Sequence, residues 1–201
     1  MSFFANTRKP VGLAGKIMVV MMNIGHSAVA RWGLRFLELA PNAMVLDCGC
    51  GGGANIKRLL KKCPQGVVKG IDYSPVSVEK SKKVNKKAIA EGRCAVLQAS
   101  VAELPLAAEQ FDLVTAFETV YFWSDLPQCF REVWRVLKPD GTFLICNESS
   151  GDTAKDEKWT KIIGGMTIYR DVELKAYLTQ AGFHDVRIYK KNNWLCVTAR
   201  K

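Results

Sequence analysis

Val45-Leu46-Asp47-Cys48-Gly49-Cys50-Gly51-Gly52-Gly53-Ala54 decides the fold of this chain: a short apolar run, then a carboxylate, then glycines at every second position, then the opening of a helix. Glycines at that spacing let a strand turn sharply into a helix and let bare backbone approach a ligand. The helix that follows, from Ala54 to Leu60, directs N-terminal N–H groups toward whatever is bound. The stretch therefore reads as the first strand and ligand-binding turn of a nucleotide-binding α/β domain.

Gly49-x-Gly51-x-x-Ala54 also satisfies a permitted variant of the dinucleotide pattern. Asp47 argues against that ligand. A diphosphate at the turn would lie close to a carboxylate two residues before the first glycine, and like charges in a poorly solvated site repel by several kcal/mol at an effective dielectric of about 20. A ligand with a cationic head is attracted instead. S-adenosylmethionine, with an ammonium and a sulfonium beside an adenosine, fits that sign. Gly66 to Ile71 reads as a second buried strand ending at Asp72, 19 positions past Gly53. A carboxylate about 20 residues past the glycine turn reaches ribose hydroxyls in doubly wound nucleotide-binding folds. Asp72 would otherwise be an ordinary strand-end residue before Pro75.

Four segments, in order, resemble the class I S-adenosylmethionine-dependent methyltransferases, in the small-molecule subgroup that includes quinone and sterol methylases. They are Val-Leu-Asp-Cys-Gly-Cys-Gly-Gly-Gly (45–53), Gly-Ile-Asp-Tyr-Ser (70–74), Ala-Glu-Leu-Pro-Leu…Phe-Asp-Leu-Val-Thr (102–115) and Arg-Glu-Val-Trp-Arg-Val-Leu-Lys-Pro-Asp-Gly-Thr-Phe-Leu-Ile (131–145). The resemblance spans about Val45 to Lys201. It implies a Rossmann-like, doubly wound, mostly parallel seven-stranded sheet with an antiparallel C-terminal hairpin strand, capped by N-terminal helices. It also implies S-adenosylmethionine as cofactor and S-adenosylhomocysteine as its product.

By that likeness Asp47, Gly49, Cys50 and Gly51 surround the methionine part, Cys50 through its backbone. Asp72 takes the ribose and Tyr73 packs on the adenine. Ser100 falls where relatives often carry an aspartate accepting from the adenine amino group; a hydroxyl also accepts, and Ser100-Val101 is the expected contact. Phe117 and Glu118, after the fourth strand, are expected at the methionine end, with core packing as the alternative for Phe117.

The acceptor side is read from chemistry alone. Methyl transfer needs alignment and water exclusion, and a base only where the nucleophile carries a proton. His26, on the break between the leading helices, is the best candidate base because its ordinary pKa is near neutral. A structural histidine is the alternative. Tyr121 joins it as a catalytic candidate. Tyr121 and Trp123, with Glu118, form a polar-aromatic cluster on the carboxyl edge of the sheet, where ligands enter such folds. Trp159 and Tyr169 are expected from the segment 148–170. An aromatic-rich mouth points to a flat or apolar acceptor.

At 201 residues the chain suits one domain. We divide it into an N-terminal helical cap (1–41), a cofactor-binding core (42–147), an insertion (148–170) serving as a lid or a peripheral helix, and a C-terminal helix with hairpin (171–201). Residues 1–10 look loosely packed. Strands are expected near 43–47, 67–71, 94–98, 111–116, 141–147, 184–190 and 193–200. Helices are expected near 54–62, 75–90, 125–137 and 171–181, with two more between 16 and 39 separated at Gly25 and Gly33. Leu137-Lys138-Pro139-Asp140-Gly141 reads as a helix stop and tight turn.

Seven unpaired cysteines (48, 50, 63, 94, 129, 146, 196) argue for reduced thiols in a cytoplasm. Cys48-x-Cys50 lacks zinc-site spacing and there are only two histidines, so no metal is expected. The apolar run Ile17 to Ile24 is too short to span a bilayer. The net charge of +10 comes mostly from residues 57–93, where eleven basic residues face three acids. Tyr73 is the only aromatic residue among them, so a solvated face is preferred to a base-stacking surface. The partner is read as a small molecule, with neither nucleic acid nor a membrane span, and the oligomeric state is open. Two rival readings remain: an NAD(P)-binding oxidoreductase, and an RNA-directed methyltransferase or binding protein using the basic helices.

Overall fold

The computed structural model describes residues 10 and 12–201. The reading of 1–10 as loosely packed thus lies outside the described residues, except at Pro10. Pro10 is buried, and its carbonyl accepts from the Ser74 hydroxyl at 3.0 Å.

Seven strands form one sheet: β1 (Met44–Cys48), β2 (Val67–Asp72), β3 (Cys94–Gln98), β4 (Phe111–Phe117), β5 (Leu137–Asn147), β6 (His184–Lys191) and β7 (Trp194–Arg200). Their order is β3-β2-β1-β4-β5-β7-β6. Strands β1 to β5 pair in parallel, and β7 lies antiparallel between β5 and β6. The fold is therefore the expected Rossmann-like doubly wound sheet with its antiparallel hairpin. The order reverses between β1 and β4, the switch point where such sheets open a crevice at the strands' carboxyl ends.

Alternation along the strands supplies two cores. Leu46, Val114, Phe143 and Ile145 face one layer, where α6 (Leu126–Val136) and α8 (Asp171–Gln180) bring Phe130, Val133, Leu174 and Leu178. Val45, Leu113, Leu144 and Cys146 face the other, under α2 (Ser27–Gly33), α3 (Ala54–Lys62) and α4 (Pro75–Val84). Truncating a fully buried ring such as Phe130 to alanine would cost about 3–5 kcal/mol. All seven cysteines are free and buried within these layers. Among the described residues no helix is long and apolar enough to cross a membrane.

Local chemistry sets the helix ends. Asp125 accepts from the Gln128 N–H at the start of α6, and Ser74 caps α4 ahead of Pro75. Gly182, at φ 98°, ends α8: its N–H bonds the Thr179 carbonyl while the Phe183 N–H bonds that of Leu178, a Schellman arrangement. The leading helices are α1 (Gly12–Gly25) and α2, separated at His26.

Two expectations are corrected. The helix expected over 75–90 is two helices, α4 and α5 (Lys86–Ala90). Asn85 divides them because its buried amide is spent on the Gly53 carbonyl at 3.1 Å and the Ser81 carbonyl at 3.0 Å, fixing a non-helical backbone. The tight turn expected at 137–141 is part of β5 itself. Pairing jumps from Phe111–Leu137 to Leu113–Thr142, so Lys138 to Gly141 bulge out, with Asp140 at φ 61°.

Candidate functional site

The turn after β1 is wound by three glycines in the left-handed region, Gly49, Gly51 and Gly53. Each is needed for a different reason. A Cβ on Gly49 would overlap the Thr119 side chain, and one on Gly53 would overlap Ser81 and Asn85. At Gly51 a Cβ would meet nothing among the described residues, because that backbone faces an open cavity.

The turn's donors are already committed. Gly49 and Cys50 both donate their N–H to the Ile71 carbonyl, at 2.7 and 2.9 Å, and Gly53 donates to Cys50. The Gly51 N–H goes to Asp72 Oδ2 at 2.9 Å, while Asp72 Oδ1 takes the Ser74 N–H at 2.9 Å. Burial pushes the Asp72 carboxyl up, and these backbone bonds pull it back. The turn thus ends in a carboxylate where a phosphate cradle would present bare N–H groups.

One cavity of about 840 Å³ runs from this turn past the carboxyl ends of β2, β4 and β5. Gly49, Cys50, Gly51, Asp72, Tyr73, Ser100 and Val101 line part of its wall, with Phe117 and Glu118. His26, Tyr121, Trp123 and Trp159 line the remainder, so the structure brings most of the expected site residues to one space. Two do not fit the expectation. Asp47 is not on the wall. It points between β1 and β4, 1% exposed, accepting from the Thr115 hydroxyl at 2.7 Å, with Oδ2 lacking a partner among the described residues. Burial raises its pKa to about 7, helped by the Asp72 charge. Tyr169 is also off the wall; it packs edge-on to Tyr177, 6.1 Å between ring centres, against the α6–α8 core.

Other side chains differ in what they have left to offer. Cys50 contributes backbone, since its thiol is turned to Ser81. Ser100 already accepts the Ala102 N–H at 3.2 Å. The Tyr121 hydroxyl is buried and accepts the Ser149 N–H at 2.9 Å. Burial pushes that phenol well above its ordinary pKa, and its hydroxyl ties down the backbone just after β5. His26 is the opposite case: burial lowers its pKa and leaves a neutral ring. Glu118, at φ 58°, accepts from the Glu148 N–H, and its pKa is raised by burial and by the Glu148 charge.

Sequence reasoning missed Glu148, Met166 and Asn193, which also line the cavity. Glu148 had a usable signal, since it follows β5 on the edge already marked by Glu118 after β4. The segment 148–170 forms α7 (Ala154–Ile162), which brings Trp159 to the cavity beside Ile163. Its start is fastened by Asp156, which accepts from Gly151, from Thr153 and from Asn193 Nδ2 at 2.9 Å.

Comparison with known proteins fits this geometry. The sequence profile of the methyltransferase domain matches residues 46–145. An uncharacterised methyltransferase of Bacillus subtilis, YdaC, is 27% identical over 194 residues, covering 94% of this chain and 98% of that protein. Cycloartenol-C-24-methyltransferase 1 of rice (Oryza sativa) is 30% identical over 109 residues, 54% of this chain and 31% of that protein. The crystal structure of an S-adenosylmethionine-dependent methyltransferase from Aquifex aeolicus superposes with a TM-score of 0.77 at 21% identity, covering 92% of this chain and 97% of that one. The chain is a class I S-adenosylmethionine-dependent methyltransferase. Its cofactor is S-adenosylmethionine, and the wall suits it: the cavity carries the carboxylates of Asp72, Glu118 and Glu148 in a protein of net charge +10.

Proposed function

We propose that the enzyme methylates a small acceptor with a flat, largely apolar body, of the quinone or sterol type. Bound S-adenosylmethionine supplies a methyl group already activated on a sulfonium. Asp72 holds the ribose, and the Gly49–Gly51 backbone, left open at Gly51, lies along the methionine part. Tyr73, Ser100 and Val101 flank the adenine, and Phe117 and Glu118 border the reacting end. Asp47 contributes only its field, from behind the turn. The acceptor lies against Tyr121, Phe122, Trp123 and Trp159, with the 148–170 segment as its lid, and with His26 and Glu148 beside Glu118.

The observation that carries the reading is the Gly51–Asp72 bond. It spends the turn's outward N–H on a carboxylate, so a diphosphate would meet negative charge where an NAD(P) enzyme offers donors. The aromatic wall supports the apolar acceptor, and the rice relative is named for a sterol substrate. Buried free thiols support a reducing cytoplasm. Calorimetry tests the cofactor side: S-adenosylhomocysteine should bind at micromolar concentration and NADH should not. Incubation of labelled cofactor with a cell metabolite extract, followed by mass identification of labelled products, tests the acceptor. Label recovered only in RNA or protein would refute a small-molecule acceptor.

A further inference from the structure

His26, Glu118 and Glu148 reach one point from three places in the chain: the break between α1 and α2, the first residue after β4 and the first residue after β5. A ring nitrogen of His26 and one oxygen from each carboxylate all lie within 4.8 Å of one another, on the cavity wall. We propose that this cluster binds a divalent first-row transition cation whose open coordination positions face the acceptor.

Three physical arguments carry it. The donor set comes first. One imidazole and two carboxylates suit manganese, iron, cobalt or zinc, whereas magnesium and calcium prefer oxygen alone. Distance comes next. Ligand bonds of roughly 2.1 Å place neighbouring donors about 3 Å apart, so small side-chain rotations would close the present separation around an ion.

Charge is the third. Two carboxylates converge here, yet Glu118 makes no ion pair among the described residues. Among the described residues that line the cavity, Arg58 is the one arginine and there is no lysine; Arg58 is spent on Asn55 and Ser27, at 2.7 and 2.8 Å. A dication would balance the charge of two converging carboxylates.

Three protein ligands on one wall leave the cavity side of the ion open, the arrangement of catalytic sites, which keep a free position, and not of closed structural ones. The ion's position beside Tyr121 and Phe122 suits an acceptor that presents an oxygen ligand. In that arrangement His26 is a ligand, not a proton acceptor. The binding statement rests on the geometry of the three side chains. Only the orientation of the acceptor rests on the methyl-transfer reading.

Titration with Mn²⁺, followed by loss of the free-ion electron paramagnetic resonance signal, tests it on the intact protein. One bound Mn²⁺ per chain is expected, weakened at least about tenfold in both Glu118→Gln and His26→Asn. Melting curves check that the variants fold. A free-ion signal that tracks added metal up to millimolar concentration would overturn the proposal, as would wild-type affinity in both folded variants. Displacement of Mn²⁺ by saturating S-adenosylhomocysteine would assign the cluster to the cofactor's ammonium and also overturn it. Parallel S-adenosylhomocysteine binding to the wild type keeps the outcomes separable: cofactor binding without metal sinks only the cation site.

Discussion

The Gly51 N–H donates to Asp72 Oδ2 at 2.9 Å, so a carboxylate from the end of β2 closes the glycine turn after β1. Asp72 therefore shapes the turn as well as lining the cavity. Asp72→Asn should weaken S-adenosylhomocysteine binding by roughly 1–3 kcal/mol through lost charge-assisted hydrogen bonds. Calorimetry reads this directly, and unchanged affinity would mean that Asp72 does not hold the ribose.

Gly49 and Gly51 separate folding from binding. Alanine at Gly51 meets no neighbour among the described residues and bears only the left-handed backbone penalty, about 1–2 kcal/mol in urea unfolding, yet it puts a methyl group into the cavity proposed to hold the cofactor. Alanine at Gly49 bears a similar penalty and collides with Thr119, for roughly 2–4 kcal/mol in all. We expect Gly51→Ala to lose cofactor affinity out of proportion to its stability. Equal losses in both variants would contradict the open wall at Gly51.

Asp47 makes stability depend on pH in a definite direction. Its folded pKa of about 7 exceeds the ordinary 3.8, so between those values the native state holds the proton that the unfolded chain has released. Its effect on stability is smallest below the ordinary value and becomes progressively unfavourable as pH rises toward 7, by up to about 4 kcal/mol. Asp47→Asn keeps an acceptor for Thr115 and removes the titration. The variant should gain on the wild type at pH 8 and differ little at pH 4. A pH-independent difference in urea unfolding would show that Asp47 ionises normally.

Asp156 fastens the start of α7. Burial pushes its pKa up, but bonds from Asn193 and Thr153 outweigh that and hold it below the ordinary value. Asp156→Ala should speed amide hydrogen exchange across 151–163 by roughly ten- to a hundredfold, with β4 and β5 unchanged. Exchange that quickens equally in the core strands would mean that Asp156 supports the whole fold.

The alternation of apolar strands with helices, and the glycine spacing at 49–53, made the sheet legible without coordinates. What stayed hidden depended on contacts between distant residues. Asn85 looks like any polar helix residue until its amide is seen tied to Gly53. Pro139-Asp140-Gly141 carries turn chemistry, and only pairing with β4 shows it absorbed as a bulge. That Gly49 to Gly51, Asp72 and Tyr73 share one cavity was readable because they follow strands that the sequence marks plainly. Asp47 was placed correctly in sequence but not in space, because the strand pleat turns its side chain behind the wall. Tyr169 was drawn in by composition, although its ring belongs with Tyr177. The convergence of His26 with Glu118 and Glu148 spans more than 120 positions, beyond the reach of any local pattern.

Because Cys48, Cys63, Cys94, Cys146 and Cys196 are buried inside the two layers and lie off the cavity wall, none of these five is a ready target for an alkylating reagent. Iodoacetamide uptake thus counts the excursions in which a layer opens, with Cys146 and Cys196 reporting on the β5–β7 seam and Cys63 on the α3 end. Five built-in tags let ligand protection be mapped position by position, without adding a single foreign label.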